Sequence, residues 1–329
     1  MEETQSKKVI ILYILKILKE FSDEEHPITQ SDIIAKLKDY GIDCDRKTIT
    51  RNIKYLIDYG FNIVRNLGGG CYFINDKYDT SEITFLVDCL YSYPAISQRQ
   101  AQNLIDKLTS EVSKYERLKF KNIYKSNELT RTDNKQIFYN IDQINFAIAN
   151  DKQISFIYNK YNKNKKLVPR KEERYIINPY FMINSKGKYF LVCNKDNYDN
   201  LSNYRIDYIT SVEVLDTKRK SITKTTGNEK GINPINYANE HIYMMSGPTI
   251  TSKVKLSSDR MINDVIDWFG KSVNFIEKES EIFAEITVNE QALIYWALQY
   301  GENVEIVEPI TTREKLITYA ENILSKYKK

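Results

Sequence analysis

The stretch that decides the fold of the first part of the chain is DRKTITRNIKYLIDYGFNIVRNLGGGCYFIN, residues 45–75. Asp45 can cap a helix in which Ile49, Ile53 and Leu56 recur at steps of four and three and form one apolar stripe. Two short β-like runs then flank three glycines, which indicates a tight hairpin because only glycine enters positive φ freely. The stretch therefore predicts a helix followed at once by a β-hairpin.

Two further helices are predicted before this stretch. Residues 7–21 are rich in apolar side chains and predict a first helix. Thr29 can cap a second helix, with Asp32 three residues on as its capping-box partner, and Gly41 marks the end of that helix. Helix, helix, turn, helix and hairpin, in this order, predict a winged helix-turn-helix.

Positive charge is concentrated on the third predicted helix and the hairpin. Residues 46–66 carry five basic side chains and one acidic side chain. A helix fits the major groove and can present its polar face to base edges, while a hairpin can lie against neighbouring phosphates. The alternative is a solvated basic surface, which many small domains have. The residues that we expect to contact DNA are Arg46, Lys47, Thr48, Thr50, Arg51, Lys54, Arg65 and Asn66.

Length and composition bound the class of protein. A chain of 329 residues predicts roughly two to three domains, and 42% hydrophobic with 28% charged residues is typical of globular proteins. The apolar run VIILYILKIL is interrupted at Lys16 and is far shorter than the roughly 20 residues of a membrane span. We therefore expect a cytoplasmic protein that does not bind a membrane.

The sequence contains no pattern typical of a metal site, a cofactor site or a catalytic site. The four cysteines form no closely spaced pair, so free thiols are expected. His26 and His241 are far apart, and the glycines 68–70 lack the GxGxxG pattern and lie in a predicted hairpin. We expect no metal, no cofactor and no enzymatic activity.

The rest of the chain changes from helical to strand-like periodicity. Residues 81–120 show helical spacing interrupted at Pro94, and the polar stretch 125–136 marks a boundary. A short helix near 141–149 is followed by the period-two segments QISFIYNKY, RYIINPYFMIN, KYFLVCNK and LSNYRIDYITSVEVLD, which predict a small antiparallel sheet or barrel. Strand and helix patterns then alternate to the end of the chain.

These middle segments carry a family resemblance. ISFIY, INPYFMINSKGKYFLV and NYRIDYI are similar to the WYL domain, an Sm-like small β-barrel found behind winged helices in bacterial transcription regulators. The triplet that names the family is Tyr189, Phe190 and Leu191 here, so its Trp and Tyr are replaced. The family's second arginine near the end of the motif is Tyr208 in this chain, whereas Arg205 and Asp207 keep the family's residue types.

The resemblance implies a sensor of nucleotides or nucleic-acid fragments. We expect Tyr158, Tyr189, Arg205 and Asp207 to bind the ligand, together with the basic loop 160–174, because a guanidinium matches phosphate oxygens and a phenol adds a hydrogen bond or a stacking face. By the period of two, Arg205 and Asp207 share one face of a strand, so a purely structural ion pair is the alternative. The loop can equally be a solvated hairpin tip.

The expected fold class is α+β, in several domains. The predicted domains are residues 1–78 (winged helix-turn-helix), 79–135 (helical linker), 136–220 (Sm-like, WYL-like β-barrel sensor) and 221–329 (C-terminal α+β extension, with a possible role in dimerisation).

Three functional hypotheses follow. The first is a DNA-binding transcriptional regulator, expected to be a repressor, controlled by a nucleotide or nucleic-acid effector at the WYL-like domain. A winged helix covers a half-site, so this hypothesis includes a homodimer on pseudo-palindromic double-stranded DNA. The second is a nucleic-acid-binding accessory protein of a phage-defence or DNA-repair system, with the barrel on single strands. The third, an enzyme, is disfavoured because no catalytic motif is found.

Overall fold

The structure, a computed structural model, describes residues 9–122, 131–228 and 231–328. The chain divides into two compact units, Met1–Arg131 and Thr132–Lys329, and each is described by itself. The four predicted domain boundaries stay predictions. Within the described residues, no helix is both long enough and apolar enough to cross a membrane.

The first unit is built from six α-helices, a 3₁₀ helix (Leu118–Asn122) and one hairpin among its described residues. Its elements are α1 (Ile10–Phe21), α2 (Gln30–Asp39), α3 (Arg46–Tyr59), β1 (Ile63–Arg65), β2 (Cys71–Phe73), α4 (Thr80–Ser92), α5 (Gln98–Thr109) and α6 (Lys114–Arg117).

The predicted caps of α2 and α3 are confirmed. Thr29 and Asp32 form a capping box at the start of α2, and the Asp45 carboxylate accepts a hydrogen bond from the Thr48 amide (2.7 Å) at the start of α3. Gly60 ends α3 in the left-handed region. The predicted apolar stripe of α3 is buried with residues of α1 and α2 in one core, whose members include Ile14, Leu18, Ile33, Leu37, Ile49, Ile53 and Leu56.

The hairpin β1–β2 is attached to the segment that leads into α2. Its strands are antiparallel, with Ile63 opposite Phe73. In addition to these pairs, Cys71 at the start of β2 exchanges two backbone hydrogen bonds with Ile28, at 2.9 Å and 2.8 Å. A Cβ at Gly70 would lie 2.8 Å from the Ile28 carbonyl oxygen, so only glycine permits this close approach. The hairpin is therefore held against the helices.

The helical segment α4–α6 has a small core of its own, in which Ile83 and Val87 are fully buried. The predicted interruption at Pro94 is confirmed, because it lies between the end of α4 and the start of α5. Arg131 donates hydrogen bonds to the backbone carbonyls of this connection, at Leu90, Tyr91, Tyr93 and Ile96.

The second unit contains two sheets and the helices around them. Its elements are α7 (Ile137–Ala149), β3 (Lys152–Tyr161), β4 (Leu167–Pro169), β5 (Tyr175–Ser185), β6 (Lys188–Asn194), β7 (Leu201–Arg205), β8 (Ile209–Lys218), α8 (Ile222–Thr226), α9 (Pro234–Glu240), β9 (Thr249–Leu256), α10 (Met261–Phe269), β10 (Asn274–Lys278), β11 (Glu281–Asn289), α11 (Glu290–Tyr300), β12 (Val304–Glu308) and α12 (Ile310–Tyr327).

The first sheet of this unit follows the order β4-β3-β5-β6-β7, with β8 also paired to β3, and it curls into half a barrel. The prediction that Arg205 and Asp207 share one face of a strand is wrong, because Arg205 ends β7 and Ile206–Tyr208 form a 3₁₀ turn before β8. Asn134 holds this turn by donating to the carbonyls of Asp207 (3.0 Å) and Ile209 (2.6 Å). The mixed helix and sheet content agrees with the predicted α+β class.

The second sheet has the antiparallel order β10-β11-β9-β12. The elements from β9 to β12 run strand, helix, strand, strand, helix, strand, which is the split-βαβ arrangement. Helices α10 and α11 cover one face, and Phe269 of α10 and Trp296 of α11 are buried against Val254 of β9 in one core. Helix α12 follows as the last element.

Candidate nucleic-acid interface

Lys47, Arg51 and Lys54 form the outward face of α3. At 3.6 residues per turn they lie within about 60° of one another and opposite the buried Ile49 and Ile53. All three basic side chains are exposed. The helix therefore presents three cations in one arc, with the exposed Asp58 one turn beyond Lys54 on the same side, and cations in one arc are the geometry needed to approach phosphates and base edges in a groove.

Arg46 and Thr50 lie on the flank of α3 that faces α2. Arg46 Nη2 donates to Ser31 Oγ (3.1 Å), and Gln30 Nε2 donates to Thr50 Oγ1 (2.8 Å). Thr48 is partly buried, and its backbone carbonyl accepts a hydrogen bond from the side-chain Nδ2 of Asn52 (2.8 Å). These predicted contact residues thus lie beside the arc rather than in it, and two of them join α3 to the first residues of α2.

Arg65 and Asn66 are exposed at the end of β1. The Asn66 side-chain oxygen accepts a hydrogen bond from the Gly68 amide (3.1 Å), and the Asn66 amide donates to the Gly70 carbonyl (3.1 Å). Asn66 therefore shapes the turn. Leu67 is fully exposed at the tip. Arg65 remains the cation of the hairpin that can reach a phosphate.

A cluster of aromatic rings lies on the half-barrel sheet of the second unit. The rings of Phe156 and Tyr175 are stacked with centroids 5.6 Å apart, and those of Tyr158 and Tyr204 meet edge to face at 4.9 Å. Lys171 Nζ lies 4.4 Å from the Tyr175 centroid. The members of this ring cluster are Phe156, Tyr158, Tyr161, Tyr175, Tyr204 and Tyr208. Aromatic faces beside cations can stack nucleobases.

The structure brings three of the four predicted ligand residues together at this cluster. Arg205 Nε and Nη2 bind the two carboxylate oxygens of Asp207, at 3.1 Å and 2.6 Å, and the guanidinium carbon lies 4.1 Å from the Tyr208 centroid. The Tyr158 hydroxyl accepts a hydrogen bond from the Arg205 amide (3.3 Å). The Asp207 side chain is 2% exposed and the Arg205 side chain is 24% exposed. The two therefore form a largely buried, two-pronged ion pair.

Burial controls the ionisation of this site. It raises the pKa of Tyr158 to about 12, and it also raises the pKa of Tyr204. Burial opposes the charge of Arg205, but the hydrogen bond and the negative charge of Asp207 outweigh it and raise the pKa of the guanidinium. Near neutral pH the Tyr158 and Tyr204 phenols are therefore neutral and the Arg205 guanidinium is charged.

Tyr189 lies on β6 opposite Asn184 and is not a member of the ring cluster. The predicted basic loop 160–174 is not one loop, because it contains the end of β3, β4 and the connection to β5. Between β3 and β4 it forms a hairpin tip, in which the Asn162 side chain accepts hydrogen bonds from the amides of Asn164 and Lys166, both at 3.0 Å. Lys163 and its neighbouring lysines point to solvent.

Sequence reasoning did not select Gln30, Ser31, Tyr175 or Tyr204, which the structure places beside the predicted residues. The period of two along β3 places Phe156 and Tyr158 on the same face of the strand, and this pattern could have suggested the ring cluster. The contacts of Gln30 and Ser31 depend on how α2 packs against α3, and no local signal reports that packing.

Three comparisons relate the chain to known proteins. The family model of the WYL domain matches residues 139–214, so the segment from α7 into β8 contains a WYL domain. No curated protein matches the chain.

Two solved structures are similar to the chain. Proteasome accessory factor B/C (PafBC) of Arthrobacter aurescens matches at 14% identity and a TM-score of 0.28, over 100% of this chain and 51% of PafBC, so the chain spans about half the length of that protein. A CRISPR Cas-related protein matches at 16% identity and a TM-score of 0.37, over 98% of this chain and 85% of that one.

Proposed function

We propose that the chain is a DNA-binding transcriptional regulator, a repressor that reads double-stranded DNA as a homodimer in the cytoplasm. Its role is binding rather than catalysis. The first five elements act as a winged helix-turn-helix, and the WYL domain acts as an Sm-like sensor of a nucleotide or nucleic-acid effector.

The observation that carries this proposal is the arc of Lys47, Arg51 and Lys54 on α3, followed directly by a hairpin with Arg65. The Asp45 cap fixes where α3 begins, and the bond pair between Ile28 and Cys71 fixes the hairpin to the segment that leads into α2. Helix and hairpin thus form one rigid basic surface, which is what a groove and its flanking phosphates require.

Sequencing of DNA fragments that co-purify with the protein tests the proposal first. A regulator should return a few palindromic sites, with half-sites one helical turn or a multiple of it apart. A protein that returns fragments without a shared motif would contradict specific recognition.

Titrations of such a site at several salt concentrations then separate the two elements of the surface. Lys47→Ala or Arg51→Ala should cost about 1–3 kcal/mol for a base contact and relax the sequence preference. Arg65→Ala should weaken binding to all sequences and reduce the salt slope by about one. Lys107→Ala removes an equal charge from the exposed side of α5 and serves as the control. If Arg65→Ala changes the preference and the α3 variants do not, the assigned roles are reversed.

The effector site is proposed at the ring cluster and the Arg205–Asp207 pair. Stacked rings beside Lys171 suit a base, and Arg205 Nη1, which the Asp207 carboxylate does not engage, can donate to a phosphate. An effector that favours one DNA-binding state by about 1–3 kcal/mol shifts the DNA isotherm 5–150-fold.

Thermal-shift screening of nucleotides and short oligonucleotides, repeated on Arg205→Lys, tests the effector site. The variant keeps the charge but loses the two-pronged contact, so hits should bind it more weakly. Hits that bind both proteins equally would make Arg205 a structural residue. Hits that never move the DNA isotherm would make the domain a binding module without a switch.

A second function is an accessory protein of a phage-defence or DNA-repair system that binds single strands. The ring cluster favours it, because stacking on aromatic faces tolerates any base sequence. In that case co-purified DNA carries no common site, and single-stranded oligonucleotides bind more tightly than duplexes of the same sequence.

A further inference from the structure

Helix α12 is attached to the second unit by its first half. Lys315 Nζ donates to the Glu290 carboxylate (2.7 Å), Arg313 pairs with Glu305 (2.9 Å), and the Tyr319 hydroxyl donates to the Gln291 side chain (3.4 Å). Leu316 packs on the core of the split-βαβ domain. From Ile317 to the end of the helix, every residue is exposed.

The exposed half of α12 carries an apolar stripe. Ile317, Ala320, Leu324 and Tyr327 are spaced by three, four and three residues, which places them on one face of the helix in an a/d pattern. Ile317 is 49% exposed, Leu324 is 51% exposed and Tyr327 is 82% exposed. The stripe lies about a quarter of a turn away from the face that packs on the domain.

Such a segment needs a partner to be stable. A helix of fewer than about 12–15 residues is marginal in water without tertiary packing. The part beyond Tyr319 has only two turns, and its side chains leave the domain. Single exposed leucines need no explanation, but a continuous stripe at coiled-coil spacing is the pattern of a helix–helix contact.

We propose that the stripe Ile317–Ala320–Leu324–Tyr327 pairs with the same stripe of a second copy of this chain, with the two α12 helices antiparallel. This inference rests on the homodimer of the proposed function and names its contact surface. A two-fold axis through the helix pair makes the surface self-complementary. The small Ala320 then lies opposite Leu324 of the partner copy, and Ile317 lies opposite Tyr327, so each layer combines a smaller with a larger side chain.

The charges beside the stripe select the antiparallel orientation. Glu314, Glu321 and Lys328 follow one edge of the stripe at seven-residue intervals. In an antiparallel pair, Lys328 of one helix lies beside the glutamates of the other. In a parallel pair, Lys328 of both helices would lie at the same end and repel.

The size of the stripe sets the expected strength. It offers roughly half of the ~800 Å² per partner that a standard interface buries. The pair therefore gives a weak dimer, which is strengthened when both copies bind neighbouring half-sites on one DNA. Exposed Tyr295, whose ring meets Tyr319 edge to face, extends the apolar surface onto α11.

Sedimentation velocity over a range of protein concentrations tests the surface with Leu324→Glu. The variant places a charge in the stripe and should weaken self-association at least tenfold. Asn322→Glu adds the same charge to the same exposed helix on the opposite side and should leave it unchanged. Lys328→Glu should weaken the dimer, and the double variant Glu314→Lys with Lys328→Glu should restore it.

The outcomes separate this inference from the proposed function. A wild-type dimer that survives Leu324→Glu overturns the α12 contact while the homodimer stands. If Phe85→Glu then dissociates the dimer, the interface lies at the exposed apolar side chains Phe85 and Leu86 of α4. A wild-type monomer that binds a full site without cooperativity overturns both the contact and the homodimer. If Leu324→Glu dissociates the dimer but the wild-type protein has no affinity for DNA, the α12 contact is supported and the DNA-binding function is contradicted.

Discussion

Gly70→Ala should detach the hairpin from the helices, and its neighbours provide a graded control. Gly70 has φ +87°, and a Cβ there would lie 2.8 Å from the Ile28 carbonyl oxygen. Gly69 has φ +97°, but nothing lies within 4 Å of the position of its Cβ. At Gly68 a Cβ meets only the Asn66 side chain, at an ordinary 3.8 Å. The three substitutions therefore add one methyl group in three different environments.

The expected magnitudes follow from these environments. Gly68→Ala should be neutral or slightly stabilising, by up to about 1 kcal/mol, because alanine restricts the unfolded chain. Gly69→Ala should cost about 1–2 kcal/mol for a non-glycine residue at positive φ. Gly70→Ala adds the loss of the two backbone hydrogen bonds between Ile28 and Cys71, worth about 1 kcal/mol each, and should cost about 3–4 kcal/mol.

Hydrogen exchange of the β1 and β2 amides measures this local opening directly. The difference of about 2 kcal/mol between Gly70→Ala and Gly69→Ala corresponds to about 30-fold faster exchange. DNA affinity should fall in the same order, because Arg65 reaches a phosphate only from a fixed hairpin. Equal exchange in the two variants would refute the reasoning, since it would show that the contact with Ile28 does not hold the hairpin.

Three further predictions concern the Arg205–Asp207 ion pair, the buried Tyr158 phenol and the core under α3. Arg205→Ala should destabilise the second unit by about 2–4 kcal/mol in urea unfolding, because it leaves the buried Asp207 carboxylate without its partner, and Arg205→Met with Asp207→Asn should recover most of the loss. Folded Tyr158 keeps its proton up to about pH 12, whereas an unfolded tyrosine ionises near 10, so thermal stability should fall between those pH values and fall less steeply in Tyr158→Phe. Ile53→Ala should cost the first unit about 2–5 kcal/mol in urea without removing a basic side chain, and a smaller effect would mean that the α3 stripe is poorly packed.

The sequence predicted best where the signal is local. Thr29 and Asp45 accept bonds from amides three residues away, so the start of each helix can be read from a four-residue window. The glycine-rich hairpin is local in the same sense. The period of two found β3, β5 and β6 close to their observed bounds for the same reason.

The 3₁₀ turn at Ile206–Tyr208 shows where this reasoning ends. The alternation through YRIDYI is as regular as in the true strands, and it predicted a strand. The turn forms because Thr132 and Asn134 donate to the carbonyl of Asp207, more than 70 residues away in the sequence. The ion pair formed nevertheless, since a 3₁₀ turn also brings residues two apart close enough for a two-pronged contact.

The basic residues of α3 show the same limit at the candidate site. The sequence lists Arg46, Lys47 and Arg51 together as expected DNA contacts, but Arg46 is bound to Ser31, and only the other two lie in the arc. Because a cation already hydrogen-bonded to the protein must exchange that bond for one to DNA, Arg46 gains less from a phosphate than its neighbours do. We therefore expect Arg46 to orient α3 on α2, and the choice of base to depend on Lys47 and Arg51.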